Sequence, residues 1–132
     1  MKPAFAGEEG SALWLGWVGL ATVGLILVLV VDLAAYLVAG ARAQGAADAA
    51  ALAAVALSDP RGGLAGDPRA AATQVAVESG GELRRCICAH RRGEVEVTVA
   101  VPVRALAVTR FAGRVVTATS KAHLVPTDGP AP

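Results

Sequence analysis

Charged and apolar positions are unevenly spread along this chain, and their spacing divides it in two. From Ser11 to Val31 no charged side chain occurs: SALWLGWVGLATVGLILVLVV. About 20 apolar residues rising 1.5 Å each match the ~30 Å hydrocarbon layer of a bilayer. A helix is the way one segment can pair all its backbone groups there. A soluble core helix of that length would carry a polar stripe, and this stretch has none. Beyond Asp32 the chain reads LAAYLVAGARAQGAADAAALAAVAL, with no proline until Pro60. Alanine is the best helix former, and its density outweighs the cost of Gly40 and Gly45, roughly 1 kcal/mol each. The pattern predicts one continuous helix over 11–57, about 70 Å long. Ser58-Asp59-Pro60-Arg61-Gly62-Gly63 then breaks it.

The remainder switches pattern. Asp67 is a suitable N-cap with Pro68 at the first helical position, and Gly80-Gly81 supply a stop, so a second helix is predicted over 67–79. Its apolar stripe is read as Ala71, Val75 and Ser79, joined by Ala72. Glu94 to Val101 alternates with period two, four valines on one face, and reads as a strand. Before it, Leu83, Arg85, Ile87 and Ala89 alternate with Arg84, Cys86, Cys88 and His90, and Arg91-Arg92-Gly93 reads as the hairpin turn between them. Arg114 to Ala122 is a third strand; Pro102 ends the second and 103–113 crosses between them. The predicted class is α+β: a long N-terminal transmembrane helix extending into a small domain with one further helix and a three-stranded antiparallel sheet. The segments are a short leader or cytoplasmic N-terminus (1–10), the long transmembrane and pilin-like helix (11–57), a linker (58–66), a small exported domain (67–126) and a disordered tail (127–132).

Composition sharpens this division. The chain has 132 residues, 55% hydrophobic but only 4% aromatic. Residues 11–57 hold three charged side chains, Asp32, Arg42 and Asp48, whereas the rest is richly charged. The net charge of +1 leaves no basic surplus to release counterions from phosphates, so nucleic acid is not an expected partner. About 75 residues beyond the long helix make a core that is marginal alone and helped by partners.

The membrane boundary is read from Trp14 and Trp17 at one end and from Asp32 and Tyr36 at the other; Trp14 to Tyr36 spans about 33 Å of helix. Asp32 reads as a marker of the headgroup boundary, with pairing to another subunit as the alternative. Small residues at Ala12, Gly16, Ala46, Ala47 and Ala50 allow close helix–helix packing. Lysine and arginine nearly balance across the span, and the short N-terminus favours a cytoplasmic amino end with the domain extracytoplasmic, a single-pass cell-membrane topology. Two cuts are open. Ala41-Arg42-Ala43 is a small-x-small triplet that would release a domain beginning at Gln44. A cut after Gly10 would leave Ser11 as the new N-terminus and keep the helix, which is how type IV prepilins are handled.

EEGSALWLGWVGLATVGLILVLVVDLAAYLVAGARAQGAADAAALAAVAL resembles the N-terminal module of TadE/TadG-like proteins of Flp pilus loci. The shared features are a leader ending in glycine, one long apolar helix, an acid at its outer end (Asp32) and the string Ala46-Ala47-Asp48-Ala49-Ala50-Ala51-Leu52-Ala53-Ala54. Within that family the chain is most similar to short actinobacterial TadE-like proteins encoded beside helicase and secretion genes. The resemblance implies membrane lipid, other pilin-like subunits and secretion-system membrane proteins as partners, among them a secretion ATPase and a polytopic platform protein. It implies a prepilin peptidase as the processing enzyme. Pilins of this type carry glutamate five residues after the cut, where Leu15 stands when counting from Ser11 and Ala12 when counting from a cut after Gly7. The register-setting charge pair between subunits is thus not available here, and the resemblance implies a minor or accessory subunit.

Candidate chemistry is sparse. Cys86, Cys88 and His90 share a face, but same-face strand residues lie ~6.7 Å apart, too far for three ligands on one tetrahedral zinc. An extended strand would also hold Cys86 and Cys88 at the upper limit for a disulfide, so two small half-buried thiols are expected. His123 reads as a solvated strand-end residue, and Arg84, Arg85, Arg91 and Arg92 as a charged edge that discourages sheet-to-sheet pairing. No base-and-orienter set, phosphate-cradling loop or carboxylate pair is present, so no catalysis, metal or cofactor is expected. The expected function is structural: a minor pilin-like or accessory subunit of a type IV/Flp pilus or related secretion apparatus. A signal-anchored envelope binding protein and a secreted domain released after Ala43 are the rivals.

Overall fold

The computed structural model describes residues 9–58, 66–89, 93–105, 107 and 114–125, with side chains described from Leu13 onward and not at Ala89. The expected leader, most of the linker, the hairpin residues His90, Arg91 and Arg92, and the C-terminal tail lie outside them. The element order is α1 (Glu9–Ser58), α2 (Pro68–Glu78), β1 (Glu82–Ala89), β2 (Glu94–Pro102) and β3 (Val115–His123). The α+β class is as expected, with a sheet of order β1-β2-β3, antiparallel throughout. α1 is one unbroken helix of 50 residues, about 75 Å long.

Both helices lie on one sheet face. α1 crosses β2 and β3, while α2 sits beside it over β1. The core between them is almost wholly valine and alanine: Val95, Val97, Val99 and Val101 from β2, Ala43, Ala46, Ala47, Ala50, Ala51, Ala54 and Val55 from α1, and Ala72 and Ala76 from α2. Period-two alternation puts those four valines inward, as expected. Their cross-strand neighbours on β3 are Val116, Ala118, Ser120 and Ala122. The opposite sheet face is polar and its residues pair across strands: Thr98 with Thr119 (2.9 Å between hydroxyls) and Glu96 with Lys121 (3.1 Å).

α2 begins and ends on the predicted signals. The Asp67 carboxylate accepts a hydrogen bond from Arg69 N–H at 2.9 Å, and Pro68 opens the helix. At the other end Gly80 takes φ +75°, with Gly80 N–H donating to Val77 O and Gly81 N–H to Ala76 O, both 2.9 Å. These are the two bonds of a Schellman cap. The buried face, however, is Pro68, Ala72 and Ala76 with Val75 beside it, and Ser79 is exposed. The expected Ala71–Val75–Ser79 stripe is therefore rotated by part of a turn.

β1 departs from its expected faces. The register shifts between Leu83 and Arg85, so that Arg84 is an extra residue opposite β2. This bulge reverses the alternation. Leu83 lies inward before it, and Cys86 and Cys88 lie inward after it, opposite Val97 and Val95. Ile87 turns to the open face. The two cysteines are not free thiols: their Cα atoms are 5.5 Å apart and they are joined as a disulfide. The strand is contracted there relative to the ~6.7 Å of an extended one, which brings the pair within bridging range.

Gly81 and Gly45 give opposite expected outcomes on methylation. A Cβ at Gly81 would stand 2.6 Å from Val99 Cγ1 and 3.1 Å from Ala100 O, where a buried β-branched side chain cannot give way. Gly81→Ala should destabilise the chain by about 1–3 kcal/mol. A Cβ at Gly45 meets nothing within 4 Å, so Gly45→Ala should stabilise it by up to ~1 kcal/mol. Thermal unfolding of the full chain in detergent, followed by circular dichroism, checks both signs.

Candidate functional site

α1 works as two surfaces in series. From Leu13 to Val31 the residues are exposed all round the helix, with only Val28 half-buried. Trp14 and Trp17 are 71% and 70% exposed. This part is long and apolar enough to cross a membrane. Fourteen exposed apolar side chains have no stable place in water, so this surface requires lipid or other helices.

From Asp32 onward one line turns inward. Asp32, Ala39, Ala43, Ala46, Ala47, Ala50 and Ala54 are buried, at steps of seven, four and three with Ala46 and Ala47 adjacent, and half-buried Tyr36 lies between the first two. Asp32 is thus the first residue of the intramolecular face. It is 0% exposed, and its carboxyl oxygen accepts a hydrogen bond from the backbone N–H of Ala107 at 2.8 Å. Ala107 belongs to the β2–β3 connection, whose neck is closed by Val103 N–H donating to Arg114 O at 2.8 Å. A carboxyl taken out of water needs such a donor, because an unpaired buried polar group costs several kcal/mol by the usual range. The connection is thereby tied to α1 at the outer margin of its apolar run.

Other predicted positions fall as follows. Glu9, Gly10 and Ser11 form the first turn of α1, and the side chain of Ala12 is outside the described residues. Gly16 is exposed, with open space where a Cβ would stand. Ala46, Ala47 and Ala50 meet α2 and the sheet of their own chain, so that face of α1 is closed to a partner helix. Asp48 in the alanine string faces out and accepts from Gln44 Nε2 at 2.9 Å. Arg84 pairs with Glu82 at 3.2 Å on the edge strand β1, and His123 ends β3, exposed. His90 lies outside the described residues, and the cysteines, bonded to each other, offer no thiolate to a metal. Among the described residues no three of His, Cys, Asp and Glu are placed to hold an ion.

Sequence reasoning missed the contact between Asp32 and the β2–β3 connection. Its signal was present: Asp32 lies seven, eleven and eighteen residues before Ala39, Ala43 and Ala50, on one helical face. Asp32→Leu should leave Ala107 N–H unpaired and release the connection from the helix. Limited trypsin digestion at Arg104, Arg110 and Arg114 should then speed up by about tenfold, while Asp32→Asn, which keeps an acceptor, should change it far less. No family model, no curated protein and no solved structure matches the chain, so its function is argued from this geometry and from the sequence.

Proposed function

We propose that this chain is a minor pilin-like or accessory structural subunit of a Flp-type pilus or a related secretion apparatus, held in the cell membrane by the first half of α1 with the sheet domain outside. The observation that carries the reading is that α1 is unbroken from Glu9 to Ser58: one half is exposed on every side and the other half is the spine of the folded domain. In such an arrangement a contact made by the apolar half is passed rigidly to the domain. The TadE-like features of the N-terminal module supply the family context. Leu15, where pilins of this type carry glutamate, favours an accessory role over self-polymerisation.

The rival with a released domain fits the geometry poorly. Ala43 is fully buried in the middle of α1, so a cut after it would remove Asp32, Ala39 and Ala43 from the buried face. The signal-anchored binding protein shares the membrane span and differs in processing and partners.

The intact mass of the protein taken from its native membrane, with the peptidase genes present, separates these readings. A chain beginning at Ser11 is the expected result. An uncut chain beginning at Met1 would replace the pilin-type reading with the signal-anchored one, and a start at Gln44 would overturn both. A Gly16→Cys variant should also crosslink in the membrane to a second, different membrane protein and not form a ladder of its own multiples.

A further inference from the structure

We infer that the chain carries a binding site for an anionic phospholipid at the junction of α1 and the sheet domain. The inference rests on the reading of Leu13–Val31 as a membrane span. A cleft of about 630 Å³ opens between α1, the C-terminal cap of α2 and the end of β2. That volume is typical of small-ligand sites. Its α1 wall is Val31, Ala35 and Val38, which continues the apolar surface of the span upward, and Pro102 stands opposite. Arg42 and Arg104 also line it, and among the described residues no acidic one does. Among the described residues neither arginine is in an ion pair, unlike Arg84 with Glu82 and Lys121 with Glu96.

Height above the bilayer selects the occupant. Val31 ends the charge-free run, so the lower wall of the cleft stands at the edge of the hydrocarbon layer. Arg104 is three residues before Ala107, whose N–H is fixed on Asp32, and this keeps it within about 10 Å of that contact. Arg42 starts higher, but helical side chains lean toward the N-terminus, here toward the membrane, and a long arginine stem reaches back along apolar surface. The first methylenes of an acyl chain can rest on Val31 and its ester and glycerol carbons on Ala35 and Val38, while its phosphate meets the two guanidinium groups in charge-assisted hydrogen bonds. A free anion would use the arginines and leave the apolar wall unused. A zwitterionic lipid brings its own cation against two others. The chemistry therefore fits a lipid with a net negative headgroup drawn from the surrounding membrane.

The test uses the full chain in nanodiscs of mixed phosphatidylglycerol and phosphatidylcholine, with retained lipids counted by native mass spectrometry. The wild type should keep phosphatidylglycerol over phosphatidylcholine by about tenfold. Arg42→Gln with Arg104→Gln should bring the ratio close to one, while Arg42→Lys with Arg104→Lys should retain a clear preference. Arg84→Gln, outside the cleft, should leave the ratio unchanged. All three arginines are exposed, so equal thermal midpoints are expected and verify the fold. A glutamine pair that keeps the preference, or an Arg84→Gln that loses it equally, would overturn the site while leaving the membrane reading intact. Displacement of the lipid by inorganic phosphate would show a plain anion site and overturn the lipid assignment. A chain that stays in water without detergent and enters no nanodisc would overturn the membrane reading and the site together.

Discussion

A helix as apolar as the first half of α1 cannot end inside a bilayer without stranding backbone N–H and C=O groups, so on the proposed reading it leaves that layer as a rigid rod, and the domain is built on what emerges. The 50 residues from Glu9 to Ser58 carry no proline, and the first proline after Pro3 is Pro60. The domain then solves the problem of its small size by taking the upper half of the rod as core. Ala43, Ala46, Ala47, Ala50, Ala51 and Ala54 fill the space above β2 and β3 that a domain of this size could not fill from its own remaining residues. Small side chains on the helix face valines on β2 and mostly small ones on β3, so rod and sheet approach closely over several turns. The candidate membrane span and the folding core are thus parts of one helix, and neither can be moved without the other.

The lower edge of this interface is polar, and that fixes its end point. Above Ala39 the buried line is alanine, which would fit at neighbouring helical registers almost equally well. Asp32 does not have that freedom, because its carboxyl must meet a donor once water is excluded. Ala107 N–H provides one, and with it the β2–β3 connection is placed at the margin of the apolar run. An alanine stripe gives closeness, and the buried carboxyl gives position. Of the two arginines of the cleft, Arg42 is carried by α1 itself and Arg104 by the connection that this contact holds.

How much of this was legible follows from how much contrast each segment offers. The valines of β2 alternate with polar residues, and their faces were read correctly from period two alone. Asp67-Pro68 and Gly80-Gly81 are strong stop and start chemistry, and both ends of α2 follow from it. The face of α2 did not, because a helix reading PRAAATQVAVE has alanine on several sides and its orientation is set by the sheet. In β1 the strand was found but its faces were inverted past Arg84, since a single bulged residue changes the parity of everything that follows. That inversion carries the cysteines inward, and the local contraction that joins them is a property of the folded strand, invisible in a Cys-x-Cys spacing. Asp32 was read against the membrane, its nearest neighbour in sequence, although its true neighbour lies 75 residues away.

The alanine string around Asp48 has a different meaning once its faces are known. Half of it, Ala46, Ala47, Ala50, Ala51 and Ala54, is closed against α2 and the sheet. What it turns outward is a line of Ala41, Gly45, Asp48 and Ala49, and Leu52, the last 63% exposed. A neighbouring helix packed on the domain half of α1 therefore meets this second line and not the first. It would find three small residues for close approach, one acid already engaged by Gln44, and one leucine. The span below offers apolar contact on every side but little to choose one orientation over another. On the proposed reading, selectivity among partner subunits belongs to the line ending at Leu52, and affinity to the exposed turns between Leu13 and Val31.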